Sequence, residues 1–254
     1  MKPRLGVFKF SSCDGCQLSL LDCEDELLAV ADAIDIAYFP EATRGDDMGQ
    51  YDIAFIEGSV TTAHEAALIQ DIRARSTALI TLGACATSGG IQALKNGADT
   101  ADFIATVYAH PDYISTLDTA TPISNHVTVD FELRGCPISK HQLLELVAAL
   151  LAGRAPQTPA HATCIECKLA GHVCVMVAAG QPCLGPVTHA GCGALCPAFA
   201  RGCYGCFGPK ETPNTPALAA RLAENGAARR DIGRLFSTYN TNAPAFRAEA
   251  KAHD

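Results

Sequence analysis

LGVFKFSSCDGCQLSLLDCEDELLAVA, residues 5–31, runs from an apolar stretch through Cys13-x-x-Cys16 into a helical repeat. LGVFKF (5–10) shows little polar alternation, the pattern of a strand buried on both faces. QLSLLDCEDELLAVA (17–31) spaces its apolar residues at helical intervals and predicts an amphipathic helix. A strand that feeds a helix is the first half of a crossover unit, and the pattern recurs along the chain. IDIAYFP (34–40), DIAFIEG (52–58), ALITLGA (78–84) and VTVDFELRG (127–135) read as further strands. AHEAALIQDIRAR (63–75) and ISKHQLLELVAALLAG (138–153) read as helices, the second closed by Gly153. Buried strands alternating with helices predict an α/β fold, a doubly wound parallel sheet over residues 1–153.

GRAPQTPAH (153–161) interrupts that pattern with Pro and Gly and divides residues 1–153 from a second unit, 154–254. Residues 162–210 hold eight cysteines among many Gly and Pro, with little periodicity. Such a segment cannot bury a core of its own, so a bound group is expected to hold it. The tail, 211–254, is helical around ALAARLAEN and RRDIGRLFSTY and then turns polar.

Composition narrows the function classes. The net charge is −8 with only 19 Lys+Arg, and no basic block gives a nucleic-acid footprint. The longest apolar run, LLELVAALL, falls well short of the ~20 residues a membrane span needs. MKPR leads directly into a strand with no h-region, cleavage site or twin-arginine signal, which predicts a cytoplasmic protein. In a reducing compartment thirteen cysteines point to metal binding rather than to a disulfide framework.

The first cysteines map onto the strands. Cys13 and Cys16 follow the first strand, Cys85 follows ALITLGA, and Cys136 follows VTVDFELRG. In a parallel sheet these loops leave at one edge, where ligands bind near the topological switch point. The four thiols are therefore expected to converge. Cys16 precedes a helix and Pro137 stands where a helix would begin, so helix N-termini are expected to favour thiolates by ~0.3–1 kcal/mol each. Zinc and iron–sulfur clusters both take four thiolates. One C-x2-C knuckle joined by two isolated cysteines favours iron–sulfur, because structural zinc usually gathers two close knuckles. GACATSGG (83–90) lacks GxGxxG and any Gly-Lys-Ser/Thr, so it reads as a tight loop around Cys85, not as a phosphate site.

Cys164, Cys167, Cys174, Cys183, Cys192, Cys196, Cys203 and Cys206 make a second set, with C-x2-C at both ends and C-x3-C-P inside. Eight thiols fill two 4Fe–4S clusters, and the spacing leaves open whether they divide sequentially or interleave. His172 and His189 lie in this segment, but eight thiols leave them little to do as ligands. Cys23, on the same helix face as Cys16, reads as a buried structural thiol.

The stretches SSCDGCQLSLLDCEDELL, IEGSVTTAHE, TLGACATSGGIQALKN, ELRGCPI and ECKLAGHVCVMVAAGQPCLGPVTHAGCGALCPAFARGCYGCFGPKETPNT resemble the small subunit of nickel–iron hydrogenases, most closely the delta subunit of the cytoplasmic sulfhydrogenase type. The resemblance implies a flavodoxin-like first domain with a proximal 4Fe–4S cluster on Cys13, Cys16, Cys85 and Cys136. It implies that a cysteine-rich irregular iron–sulfur segment with short helices follows this domain and holds medial and distal clusters on the later cysteines. A large subunit would carry the nickel–iron centre, and a partner subunit with FAD and iron–sulfur would meet NAD(P). The enzyme would be of the H2:NAD(P)+ oxidoreductase type, with sulfur or polysulfide reduction left open. Periplasmic relatives use a histidine at the distal cluster and carry a leader, whereas this chain has a full cysteine set. The related quinone-reductase subunit of respiratory complex I has adjacent cysteines where this chain has Cys-Asp-Gly-Cys. Two alternatives stand beside the hydrogenase reading: a stand-alone multi-cluster electron carrier or quinone-reductase-like subunit, and a zinc-stabilised scaffold. Glu57, at a strand end, is a candidate for proton relay or the large-subunit interface, or else a carboxylate that caps backbone. Arg134 either raises the proximal potential or forms a salt bridge. No complete catalytic set is present.

Overall fold

The computed structural model describes residues 2–44 and 49–254. Five strands, β1 (Arg4–Lys9), β2 (Asp35–Tyr38), β3 (Tyr51–Glu57), β4 (Ser76–Leu82) and β5 (Phe131–Leu133), form one sheet in the order β2-β1-β3-β4-β5. Every pairing is parallel. This is the flavodoxin-like order of a doubly wound sheet. Lys9 pairs with Glu57, Glu57 with Leu82, and Leu82 with Leu133, so four strands end level at one edge.

Both faces are covered, as the apolar strands require. Leu5, Val7, Phe55, Ile80 and Leu82 pack against Leu20 of α1 (Gly15–Leu21) and against Leu143, Leu146 and Val147 of α6 (Lys140–Leu151). On the opposite face Phe8, Ala54, Ile56 and Leu79 meet Ile69 and Ile72 of α3 (Ala63–Ala74). A capping box starts α3: Thr62 Oγ1 accepts the Glu65 N–H at 3.1 Å, and the Glu65 carboxylate accepts the Thr62 N–H at 2.9 Å.

Three local expectations are corrected. The helix predicted over 17–31 is two helices, α1 and α2 (Glu24–Ala33). Glu24, Asp25 and Glu26 occupy the first turn of α2, where the positive helix end favours carboxylates more than mid-helix does. The strand predicted over 127–135 pairs only from Phe131, because the Asp130 carboxylate takes the Leu79 N–H at 2.7 Å and pairs with Arg73 at 2.6 Å. GACATSGG is not a loop but a short helix, α4 (Gly83–Ser88), stopped by Gly89 and Gly90 at φ 81° and 63°. A further helix that no periodicity announced, α5 (Thr100–Val107), follows.

After α6 the chain makes three short helices, α7 (Thr163–Leu169), α8 (Val175–Ala179) and α9 (Leu195–Ala198). The tail forms α10 (Thr215–Glu224), α11 (Arg229–Phe236) and α12 (Pro244–Ala252). Leu218, Leu222, Ile232, Phe236 and Phe246 pack there on Leu184 and Val187. The tail therefore does not turn polar after α11: α12 buries Phe246 against Phe236, ring centroids 5.4 Å apart. Among the described residues no helix is long and apolar enough to cross a membrane.

Candidate metal centre

The level strand ends carry the first thiols. Cys13 and Cys16 follow β1, Cys85 lies in the first turn of α4 just after β4, and Cys136 lies three residues past β5. Gly83, at φ 82°, lets α4 start beside Cys16, and a Cβ there would overlap Cys16 Sγ. A Cβ on Gly90, at φ 63°, would lie 2.6 Å from Cys85 Sγ. The Ala84 N–H donates to Gly135 O at 2.7 Å, joining the Cys85 helix to the Cys136 turn. The backbone is thus drawn tightly around the sulfurs at positions that only glycine fills without strain.

Electrostatics give the same grouping. Burial and then Glu57 push the Cys16 thiol far up, with Cys85 and Cys136 adding to the rise. Burial pushes Cys85 up to about 11, against the opposing Gln92 hydrogen bond, and Cys136 and Cys13 raise it further. Cys136 rises through burial, then Cys13 and Glu57. The expected helix-end stabilisation of thiolates is therefore overridden. Cys16 does sit in the first turn of α1, but burial dominates, and α6 begins at Lys140, three residues beyond Pro137.

Glu57, 2% exposed, accepts the Cys16 N–H at 2.9 Å and the Gln17 Nε2–H at 2.8 Å. Asp14, the residue before α1, makes no side-chain cap, so the carboxylate from β3 serves that end of the helix instead. Burial raises the Glu57 pKa. Arg134 pairs with Glu132 at 3.4 Å and donates to Pro209 O, tying β5 to the later segment. Cys23 is buried among Leu5, Leu20 and Leu143, and its thiol donates to Ser19 O at 3.5 Å.

The second set separates largely into two groups. Cys164, Cys167, Cys174 and Cys183 line one small cavity with Val175, Met176 and Pro197. Burial raises Cys164 and Cys167, and the other thiols of that cavity raise them further. Cys206 is pushed up to about 12 by burial, then by Cys192, Cys136 and Cys196. Cys203, also at about 12 through burial, faces both groups: its N–H donates to Cys183 Sγ at 3.2 Å, and Cys206 adds to its rise. His189 turns Nδ1 to Ala190 O at 2.8 Å and Nε2 toward Glu211 at 4.0 Å, so both nitrogens face away from a ligand role. His172 closes the end of α7, its backbone N–H bonded to Cys167 O. All thirteen cysteines are free thiols. Among the described residues no three His, Cys, Asp or Glu side chains gather closely enough to hold a single metal ion.

A family model described as NADH ubiquinone oxidoreductase, 20 Kd subunit, matches residues 13–150, from Cys13 into the last turn of α6. Sulfhydrogenase 2 subunit delta of Pyrococcus furiosus is 36% identical over 221 residues, covering 87% of this chain and 92% of that protein. A vhu subunit of the F420-non-reducing hydrogenase of Methanococcus voltae is 30% identical over 259 residues, covering 91% of this chain and 90% of that protein. A solved NAD+-reducing nickel–iron hydrogenase in its H2-reduced state aligns with a TM-score of 0.58 at 28% identity, covering 63% of this chain and 96% of that one. The chain belongs to the NADH ubiquinone oxidoreductase 20 kDa subunit family and, within it, to the small subunits of nickel–iron hydrogenases, heteromeric oxidoreductases.

Proposed function

We propose that this chain is the electron-transfer small subunit of a soluble, cytoplasmic nickel–iron hydrogenase. Electrons would pass between an H2-activating large subunit and a flavin- and NAD(P)-binding iron–sulfur partner. Its residues 1–153 would hold one 4Fe–4S cluster through Cys13, Cys16, Cys85 and Cys136. Residues 154–254 would hold two more, on Cys164, Cys167, Cys174 and Cys183, and on Cys192, Cys196, Cys203 and Cys206. The shared cavity of the first four of these thiols supports that sequential division. The single observation that carries the reading is the delivery of thiols from three strand ends to one glycine-lined edge.

The donor set fits such a group: four thiols from three strand ends, and two glycines whose Cβ would intrude on sulfur. Bound there, each cluster supplies a one-electron donor and acceptor whose potential follows burial and hydrogen bonds to sulfur. The chain sets both. Burial of Cys16 and Cys203 keeps water from their sulfurs. Backbone N–H groups of Cys203 and Gly205 point at the sulfurs of Cys183 (3.2 Å) and Cys203 (3.4 Å). Because burial holds several thiols protonated, loading metal releases protons and weakens as pH falls. Glu57 positions Cys16 by taking its N–H.

Iron, sulfide and zinc analysis of the purified chain tests the metal assignment, with about twelve irons and matching sulfide expected. Stoichiometric zinc in a colourless protein overturns it. Co-purification tests the partner. Nickel on a large subunit in the same peak supports the hydrogenase reading, and a chain that returns alone and fully loaded supports a stand-alone carrier. The quinone-reductase-like reading draws on the family description, and a partner complex that reduces quinone but lacks nickel would favour it.

A further inference from the structure

Asn240, 3% exposed, sits in the turn between α11 and α12, and its amide bridges two regions that carry different thiols. On one side the Ser88 hydroxyl, at the end of α4 and three residues past Cys85, donates to Asn240 Oδ1 at 2.6 Å. On the other side Asn240 Nδ2 donates to Gly205 O at 2.9 Å and to Cys206 O at 3.1 Å. Two residues earlier, the Thr238 hydroxyl donates to Tyr204 O at 3.1 Å. Gly208 lies close enough that a Cβ there would stand 3.0 Å from Asn240 Oδ1. Between these anchors lies Tyr239. Burial raises its phenol, and Cys136, Cys206 and Cys196 raise it further, which puts it within electrostatic reach of thiols from both regions.

The α4 helix belongs to the sheet, whereas the 203–206 turn belongs to the later segment. The Asn240 amide spends both its oxygen and its nitrogen on joining them. Leaving either buried partner unmet costs more than the bond itself returns, so the separation is held firmly. The tail that packs on Leu184 and Val187 thereby reaches back to the sheet edge.

We propose that Asn240 is a positioning residue: it sets the separation between the Cys13, Cys16, Cys85, Cys136 group and the Cys192, Cys196, Cys203, Cys206 group. It thereby sets how fast an electron crosses from one to the other. This rests on the iron–sulfur reading above. Electron tunnelling falls steeply with distance, so a small widening slows that step without touching hydrogen activation or either ligand set.

The test uses the chain purified with its partner subunits. Asn240→Ala removes the whole bridge. Ser88→Ala cuts the link from Asn240 to α4, together with the Ser88 bond to Ala84 O inside that helix, and leaves the bonds to Gly205 and Cys206, so it remains informative if Asn240→Ala folds poorly. Iron content is measured first, then freeze-quench electron paramagnetic resonance follows reduction by hydrogen. The expected result is full iron, first-cluster reduction at the wild-type rate, and a severalfold lag in the clusters beyond it. The two substitutions together should lag no more than Asn240→Ala alone, because they break one shared bridge. Full iron with all clusters reduced in step at wild-type rates overturns the proposal. A wild-type complex without iron overturns the reading beneath it, and the proposal with it.

Discussion

Gly83→Ala probes the first thiol group most sharply. Gly83 holds φ 82°, where an L-residue costs ~1–2 kcal/mol, and its new Cβ would fall on Cys16 Sγ, not on a yielding surface chain. Overpacking of a tight site adds ~1–3 kcal/mol, so the total is about 2–5 kcal/mol. Relief requires Cys16 to move, yet its N–H is held by Glu57 and its side chain is buried beside Leu20 and Leu143. The predicted outcome is loss of the first cluster with retention of the two later ones, about eight irons instead of about twelve. Gly226→Ala is the control: φ is 91° there, but nothing lies within 4 Å of its Cβ. It should cost only the backbone ~1–2 kcal/mol and keep all its iron. Iron and sulfide analysis with urea denaturation of both variants reads the difference. A Gly83→Ala protein with full iron and the stability of the Gly226 control refutes the reasoning.

Glu57→Gln leaves a donor facing the Cys16 or Gln17 N–H and should lower stability by ~1–3 kcal/mol, measured by denaturant midpoint. Iron in the Cys164–Cys206 groups should be retained, and loss there instead would contradict a local role. Phe246→Ala empties the centre of the tail core and should cost ~3–5 kcal/mol, whereas an exposed polar tail would lose nothing. The metal-free chain should weaken in alkali. Burial holds Cys85 at about 11 and Cys203 and Cys206 at about 12, from an ordinary 9.0. The folded chain thus binds those protons more tightly than the unfolded one, so this stabilisation is complete below pH 9 and is lost as pH rises toward 12. A urea midpoint that stays flat across that range contradicts it, and the iron-loaded protein, with its thiols already ionised, should lack the effect.

The sheet was legible because its strands announce themselves: LGVF, IAFI and LITL are apolar runs too short for buried helices, and each ends at a loop carrying Gly or Cys. Once the strands are placed, a parallel sheet puts Cys13, Cys85 and Cys136 at one edge without further information. What local pattern does not hold is set by partners far along the chain. Nothing around Asp130 announces that its carboxylate will take the Leu79 N–H and delay the fifth strand. IEGS leaves Glu57 open between a relay and a backbone cap, and only the fold shows which helix it serves, the start of α1. Cys16 carries the helix-end signal and still has its thiol raised, since burial depends on α6 and β3 closing over it. In the tail, Pro244 at a helix start and Phe246 in an alanine-rich repeat were available cues for α12. Asn240 offered none: a buried amide between two thiol-bearing turns is visible only once both are placed.

Anomalous diffraction at the iron edge, from crystals of the loaded complex, measures the central claim most directly. Iron density enclosed by the sulfurs of Cys13, Cys16, Cys85 and Cys136, at the carboxyl ends of β1, β4 and β5, is the predicted result. Zinc in that place, or those four sulfurs bound to separate centres, would contradict it.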